Sequence, residues 1–140
     1  MSDKPKADLK NLERLVGEWE VSGDAQGHLS FAWAEGNFFL VQQVELQYGG
    51  RLIKGIEYIG HVEGVNEKPS KDIRSRFYSH LDGLTLDYTY ELKNNTFTVW
   101  FGERDSNNYF QGTFSPDNKS YSGAWHWPGG GYSITAKRVK

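Results

Sequence analysis

The chain contains no cysteine, so it can form neither a disulfide nor a thiolate metal site. It also lacks a strong charge of either sign, because 16 Lys and Arg residues against 18 Asp and Glu residues leave a net charge of -2. Phosphate backbones bind strongly positive surfaces, and the apolar runs are far shorter than the ~20 residues that a membrane helix needs. We therefore expect neither nucleic acid nor a membrane among its partners.

The first residues lack the apolar core of a secretory signal, since Met1 to Lys6 run directly into charged residues. Together with the absence of cysteine, this predicts a cytoplasmic protein. A chain of 140 residues is long enough for one domain. We predict a single domain over residues 1–140.

Glycine and aromatic residues are abundant instead, with 16 Gly and 15% Phe, Trp and Tyr. This balance is typical of strands joined by tight turns. The spacing of Leu9, Leu12, Leu15 and Val16 predicts one short N-terminal helix, which we expect to act as a lid. From Trp19 onward the apolar residues recur with a period of two, which predicts strands.

Turn signals recur about every eight to twelve residues and divide this region into hairpins. Hairpin loops of two or four residues fix which side chains face each other, and the resulting registers place the apolar residues on one face. About ten strands with one apolar face must cover both that face and their edges. We therefore predict an all-β fold, a closed antiparallel up-and-down barrel of about ten strands with a short N-terminal helix. The turns are Gly36-Asn37, Gly49-Gly50, Asp82-Gly83, Asn94-Asn95, residues 104–107, residues 116–119 and residues 128–131.

The registers also predict the rows inside the barrel. One row consists of the small residues Val99, Gly112, Gly123 and Ala136, and the row above it consists of Phe101, Phe110, Trp125 and Ile134. Small residues at mid-height favour a hollow interior with an aromatic neck. Alternatively, the glycines let strands bend and approach closely with no cavity, and the sequence leaves both open. Three of the facing pairs implied are Phe77 with Tyr88, Phe101 with Phe110, and Trp127 with Tyr132.

The Gly49-Gly50 turn places Gln42 opposite Glu57, both pointing inward. A buried carboxylate is costly, so it should be hydrogen-bonded by Gln42 and a tyrosine or should face a wet cavity. Glu57 is therefore the candidate general acid or base, although a structural polar pair is the commoner role for such residues.

The leading functional hypothesis is the binding of a small, largely apolar or aromatic molecule inside the barrel. One alternative is an enzyme that acts on such a ligand through Glu57. We expect the cavity to open toward Glu103, Asn108, Trp127 and Tyr132. The candidate ligand-binding residues are Phe31, Gln42, Glu57, Tyr88, Tyr90, Phe101, Glu103, Asn108, Phe110, Trp125, Trp127 and Tyr132.

The four histidines predict no metal site, because none lies within ligand spacing of another. The registers place His80 and His126 on the outer face, and His28 falls in a predicted loop. His61 points inward near the predicted closed end. The third hypothesis is a haem-binding barrel in which His61 binds the haem iron. The leading hypothesis involves no cofactor, and we expect none.

The outer face carries a patch that is more apolar than an exposed sheet requires. It comprises two rows, Ala32 with Val41 and Tyr58, and Ala34 with Phe39 and Gly60. We call these residues the outer patch. We expect it to be covered by a second copy of the chain in a two-fold homodimer, or else by the N-terminal helix.

Gly17-Glu18-Trp19 after a short helix, together with Arg138 on the last strand, resembles the pattern of the calycin group, which includes lipocalins and fatty-acid-binding proteins. The resemblance implies that Trp19 packs against Arg138 at the closed end of a barrel. The chain more closely resembles an uncharacterised family of bacterial lipocalin-like domains, to which no activity is attached. The segments that carry this closer likeness are residues 17–19, 33–40, 55–60 and 122–132.

A fainter likeness links the chain to nitrobindin, a haem-binding barrel of ten strands that also begins with a G-x-W motif. The chain has Val21 where nitrobindin has a glycine, and no inward histidine matches its haem ligand.

Overall fold

The computed structural model describes residues 7–62 and 70–140. A short helix, α1 (Ala7–Lys10), runs into a 3-10 helix (Asn11–Leu15), and strands follow as far as Arg138. The strands are β1 (Gly17–Gly23), β2 (Ala25–Trp33), β3 (Leu40–Tyr48), β4 (Arg51–Gly60), β5 (Ile73–Ser79), β6 (Thr85–Lys93), β7 (Thr96–Phe101), β8 (Tyr109–Phe114), β9 (Ser120–Trp127) and β10 (Gly130–Arg138).

Each strand pairs antiparallel with its neighbours in sequence, and β1 pairs with β10 to close the barrel. The alternation that predicted the strands is visible in β1, where Trp19 and Val21 are buried while Glu18 and Glu20 are exposed. The predicted fold class is confirmed, because closure gives every strand two partners and leaves no free edge.

The helical segment covers one end of the barrel, which we call the closed end. Leu9, Leu12 and Leu15 are buried there. The Arg14 guanidinium donates hydrogen bonds to the Asn94 carbonyl oxygen at 2.7 Å and to the Asn118 side chain. These contacts bind the helix to two hairpin turns, which confirms its role as a lid. No helix in residues 7–62 and 70–140 combines the length and apolar character needed to cross a membrane; the cytoplasmic location stays a prediction.

Trp19 lies at the centre of the closed end and is fully buried. It faces Arg138 across β1 and β10, and the Arg138 guanidinium carbon lies 4.2 Å from the centre of the indole ring. The indole nitrogen donates to the Leu15 carbonyl oxygen at 2.8 Å, and the Tyr121 ring packs edge-on at 5.0 Å. The predicted contact of Trp19 with Arg138 is therefore confirmed.

Four hairpin registers are confirmed. The turns at Gly49-Gly50 and Asn94-Asn95 have two residues, and the loop at residues 116–119 has four. The hairpin at Gly36-Asn37 keeps the predicted register, although its loop spans residues 35–38, because the Ala34 amide donates to the Phe39 carbonyl oxygen. Among the facing pairs are Phe31 with Gln42, Gln42 with Glu57, Leu92 with Phe97, and Phe114 with Tyr121.

Three other registers are wrong by two residues, and all three belong to hairpins at the opposite end, which we call the open end. The β5–β6 loop has four residues rather than two, because the Ser79 amide donates to the Leu84 carbonyl oxygen. The β7–β8 loop spans residues 102–107, because the Phe101 amide donates to the Asn108 carbonyl oxygen, and the β9–β10 turn has only two residues, 128–129. Phe77 therefore faces Leu86, Val99 faces Phe110, and Trp125 faces Tyr132.

The shifted registers overturn the predicted row of small residues. Gly112 does face Gly123, but Val99 and Ala136 face aromatic residues instead. A Cβ atom on Gly123 would lie 2.2 Å from the Gln111 carbonyl oxygen and 2.5 Å from the Gly112 Cα. These glycines therefore serve close approach of β8 and β9, as the alternative interpretation expected, although the barrel does contain a cavity.

The outer patch forms as predicted, since Ala32 faces Val41 and Val41 faces Tyr58. Phe39 and Tyr58 are each 43% exposed. The alternative in which the helix covers this patch is wrong, because Leu12 and Leu15 of that segment are buried in the closed end instead. The homodimer stays a prediction.

We expect sedimentation velocity to show a dimer that dissociates when Val41 is replaced by lysine. The substitution places a charge in the middle of an apolar contact, where it would be desolvated. Gln47→Lys, on the outer face of the same strand but away from the outer patch, should leave the dimer intact. A monomeric wild-type protein at high concentration would remove the dimer hypothesis.

Candidate functional site

The open half of the barrel encloses a cavity of about 500 Å³. This volume falls in the range of roughly 300–1,000 Å³ that is typical of small-molecule sites. Gln42 and Glu57 line its deep end, while Leu40 and Ile59, the next inward pair toward the closed end, are completely buried outside it. Arg51 is among the residues at its mouth. The barrel is thus packed in its closed half and hollow in its open half.

The period of two along the strands places the cavity residues. On β3, Gln42, Val44 and Leu46 line the cavity, whereas the intervening Gln43 and Glu45 are exposed on the outside. A register shift of two residues leaves each side chain on the same face of the sheet. The residues predicted to point inward therefore do so even in the hairpins whose registers are wrong.

The candidate ligand-binding residues come together around this cavity, with one exception. Those that line it are Phe31, Gln42, Glu57, Tyr88, Tyr90, Phe101, Asn108, Phe110, Trp125, Trp127 and Tyr132.

Glu103 is the exception, and its assignment to the site is wrong. Its side chain is 82% exposed and lies 3.4 Å from the Arg74 guanidinium. The predicted alternation would have carried β7 through Glu103, but β7 ends at Phe101. The Gly102 amide then donates to the Asp87 carbonyl oxygen at 2.8 Å, which turns the loop toward β6.

The Glu57 carboxyl group is the central polar feature of the cavity. It is 4% exposed and accepts hydrogen bonds at both oxygens, from the Ser75 hydroxyl at 2.5 Å and from the Tyr90 hydroxyl at 2.8 Å. The hydrogen bond from a tyrosine is as predicted. Gln42, the other predicted partner, lies opposite on β3, but the described donors to Glu57 are Ser75 and Tyr90 rather than Gln42. Ser75 was missed as a site residue, although an inward serine between Ile73 and Phe77 was a readable signal.

Burial raises the pKa of Glu57 from 4.5 to about 7, against the opposing effect of the hydrogen bonds from Ser75 and Tyr90. Burial and the nearby Glu57 raise the pKa of Tyr90 well above its usual value, so its hydroxyl stays neutral and continues to donate. None of the ion pairs within residues 7–62 and 70–140 involves Glu57. The cavity floor thus holds a carboxyl group that is close to half ionised at neutral pH and has no cationic partner there.

Aromatic rings form one wall above this floor. The Tyr88 ring lies 6.1 Å from that of Trp125 and 5.7 Å from that of Phe101, and Trp125 lies 5.8 Å from Phe110. The pKa of Tyr88 is raised, first by burial and then by the negative charge of Glu57, which places this wall within electrostatic reach of the carboxylate.

A second aromatic contact involves Tyr132, which lines the cavity. The rings of Tyr48 on β3 and Tyr132 on β10 are stacked with their centres 4.1 Å apart. Both strands flank the β1–β2 hairpin, where Ala25 faces Tyr48 and is fully buried. Sequence reasoning missed Tyr48, whose inward position followed directly from the Gly49-Gly50 turn.

His61 lies outside the cavity, at the closed end. Its Nδ1 is 2.8 Å from the Ser70 carbonyl oxygen, and its Nε2 is 3.1 Å from the Asp8 carboxylate. Both ring nitrogens thus have partners, so the geometry gives no support to a haem ligand at this position. His80 and His126 are exposed, as predicted. Within the described ranges, no three His, Cys, Asp or Glu side chains are grouped so that they could hold a metal ion.

Neither the family models nor the curated protein sequences compared with this chain give a match. The closed barrel of ten antiparallel strands with a short N-terminal helix is consistent with a calycin-like fold.

Proposed function

We propose that this chain binds a small, largely apolar or aromatic molecule in the barrel cavity. The observation that carries the proposal is the cavity of about 500 Å³, which is lined by aromatic and aliphatic side chains and has a few polar groups at its floor and mouth. Such a combination is the usual composition of small-molecule sites, in which apolar walls supply affinity and few polar groups supply orientation.

The energetics favour occupancy by an apolar body. Water in a cavity with apolar walls finds few hydrogen-bond partners, and transfer of apolar surface out of water is worth about 25 cal/mol per Å². At the deep end, Glu57, Ser75 and Tyr90 form one hydrogen-bonded polar group. A ligand would therefore enter with one polar group leading and leave its apolar part against the Tyr88 and Trp125 rings.

We infer in addition that the chain is a lipocalin-like domain of the calycin group. The support is the contact of Trp19 in the G-x-W motif with Arg138 at the closed end of the barrel. The fainter likeness to nitrobindin gains no such support, since His61 points away from the cavity toward Asp8 and Ser70.

Binding can be tested with N-phenyl-1-naphthylamine, a neutral probe that fluoresces when it leaves water. We expect saturable binding to the wild type, with at least a tenfold loss of affinity in Val44→Trp, because the indole would occupy part of the space that the probe needs. The matched control is Gln43→Trp, which adds the same side chain to the outer face of the same strand. This variant should bind as the wild type does.

Because Val44→Trp could unfold the barrel, Leu46→Trp nearer the mouth provides a second blocking variant, and circular dichroism reports the fold of each. Equal binding by the wild type and by folded variants at both inward positions would show that the probe sits elsewhere. That result would contradict the proposed site.

A second candidate function is an enzyme in which Glu57 acts as a general acid or base on the bound molecule. The observation that favours it is the pKa of about 7, near which a carboxyl group can both donate and accept a proton at neutral pH. Native mass spectrometry of the protein purified from its own host would identify the bound molecule. Glu57→Gln should then retain the molecule but not convert it, whereas conversion by the variant would exclude this role.

A further inference from the structure

We propose that the ligand carries a positively charged nitrogen, an ammonium or amidinium group on an apolar or aromatic body, which the Glu57 carboxylate holds at the cavity floor. This inference rests on the binding function proposed above and names the chemical class of its ligand.

The first support is the hydrogen-bonding state of the cavity floor. Ser75 and Tyr90 each direct their hydroxyl hydrogen at Glu57, one to each carboxylate oxygen. These two donors are thereby used, while each carboxylate oxygen can accept further hydrogen bonds. A ligand group that donates a hydrogen bond therefore suits the cavity floor. A ligand carboxylate or phosphate would meet a like charge there instead.

The second support is the absence of a cation from the described surroundings of Glu57. The groups that face it are Gln42 on β3, Ser75 and Phe77 on β5, and Tyr88 and Tyr90 on β6, all of them uncharged when the tyrosines are protonated. Arg51 lies six residues along β4, roughly 20 Å away at strand spacing, and is near Asp82 at the mouth. A carboxylate left without a counter-charge gains more from a cation than from a neutral donor.

The third support is the aromatic wall beside the carboxylate. A cation is attracted to the face of an aromatic ring, and the attraction strengthens when water is excluded. Tyr88 faces Ser75, a donor to the carboxylate, across β5 and β6, and its ring lies beside those of Trp125 and Phe101. A nitrogen at the floor can thus contact the Glu57 oxygens on one side and an aromatic ring on the other.

Cation binding has a proton balance that can be measured. In the empty cavity the Glu57 carboxyl holds a proton part of the time at neutral pH. A ligand that arrives already protonated favours ionised Glu57, so the carboxyl proton leaves to solvent as the ion pair forms. Affinity for an ammonium ligand should therefore rise as the pH increases from 6 to 8, and binding near pH 7 should release a fraction of a proton.

The experiment compares 2-naphthylmethylammonium with the neutral 2-naphthylmethanol, which share one apolar body, by isothermal titration calorimetry at pH 7. We expect the ammonium to bind the wild type at least tenfold more tightly, with a heat that varies with the ionisation enthalpy of the buffer. In Glu57→Gln both the preference and the buffer dependence should disappear. The control, Glu45→Gln, removes an exposed carboxylate from the outer face of β3 and should change neither.

The pH series on the wild type keeps the test decisive if Glu57→Gln does not fold. Ammonium affinity that stays flat or falls between pH 6 and 8, or an ammonium that gains nothing over the alcohol, overturns the proposal. In that case continued binding of the alcohol or of N-phenyl-1-naphthylamine leaves the binding function standing. Failure of every probe in the wild type removes both.

Discussion

Replacing Trp19 with alanine is expected to lower the free energy of unfolding by about 3 to 5 kcal/mol, as is typical for truncation of a fully buried aromatic side chain. The substitution removes the contacts with Tyr121 and Phe114, and it also removes the hydrogen bond to the Leu15 carbonyl oxygen that attaches the lid. It further deprives Arg138 of the indole face on which its guanidinium lies. A domain whose total stability is about 5 to 15 kcal/mol would be left marginal.

Urea denaturation followed by circular dichroism measures this loss, and Trp127→Ala is the matched control. Trp127 is a half-buried residue at the mouth of the cavity, so its truncation leaves no closed void. We expect the loss in Trp127→Ala to be less than half of that in Trp19→Ala. Equal losses in the two variants would show that the closed end is not the principal core of this barrel.

The contacts of Arg138 allow its contribution to the closed end to be distinguished from that of the packing of Trp19. Its guanidinium donates hydrogen bonds to the Arg14 carbonyl oxygen at 2.6 Å and to the carbonyl oxygen of Val16, so it also links the last strand to the helix. Burial lowers its pKa, but the group remains charged in any ordinary buffer. The cation over the indole accounts for only about 0.5 to 2 kcal/mol, so most of the expected loss at Trp19 comes from packing.

The hairpins show why the sequence predicted the closed end of the barrel better than the open end. At the closed end, the registers of all three tested hairpins are as predicted, namely those at Gly36-Asn37, Asn94-Asn95 and residues 116–119. At the open end, Asp82-Gly83 looked like a two-residue turn but forms part of a four-residue loop. Several loop lengths fit one Asp-Gly or Pro-Gly signal, and the tertiary environment selects among them.

This difference decided which parts of the candidate site were predictable. Gln42 opposite Glu57 followed from Gly49-Gly50, a turn with little freedom in length. The partnership of Glu57 with Ser75 depended on the β4–β5 connection, whose length gives no register from sequence. Glu103 was misplaced because the end of β7 depends on hydrogen bonds that Gly102 makes to the neighbouring strand β6. Periodicity therefore predicted whether a side chain points into or out of the barrel, but it did not predict the position of that side chain along the barrel axis.

Glu57→Gln is expected to remove a large pH dependence from the stability of the protein. Burial raises the pKa of Glu57 from 4.5 to about 7 on folding, so the folded chain holds the proton more tightly than the unfolded chain does. The resulting stabilisation is fully present below pH 4.5 and is lost as the pH rises through about 7. At roughly 1.4 kcal/mol per pH unit of difference between the two pKa values, the wild type should lose about 3 kcal/mol over this interval.

Other groups titrate in the same interval, so the quantity to measure is the difference in free energy of unfolding between Glu57→Gln and the wild type, by urea denaturation from pH 4 to pH 8. Their contributions are common to both proteins, and the difference should shift in favour of the variant by about 3 kcal/mol. Tyr90→Phe sharpens the test, because the hydroxyl donates to Glu57 and lowers its pKa. Without this donor the interval of stability loss should extend to higher pH. A difference independent of pH would mean that Glu57 titrates as an exposed carboxyl does, and the buried acid on which the catalytic and cation hypotheses rely would not exist.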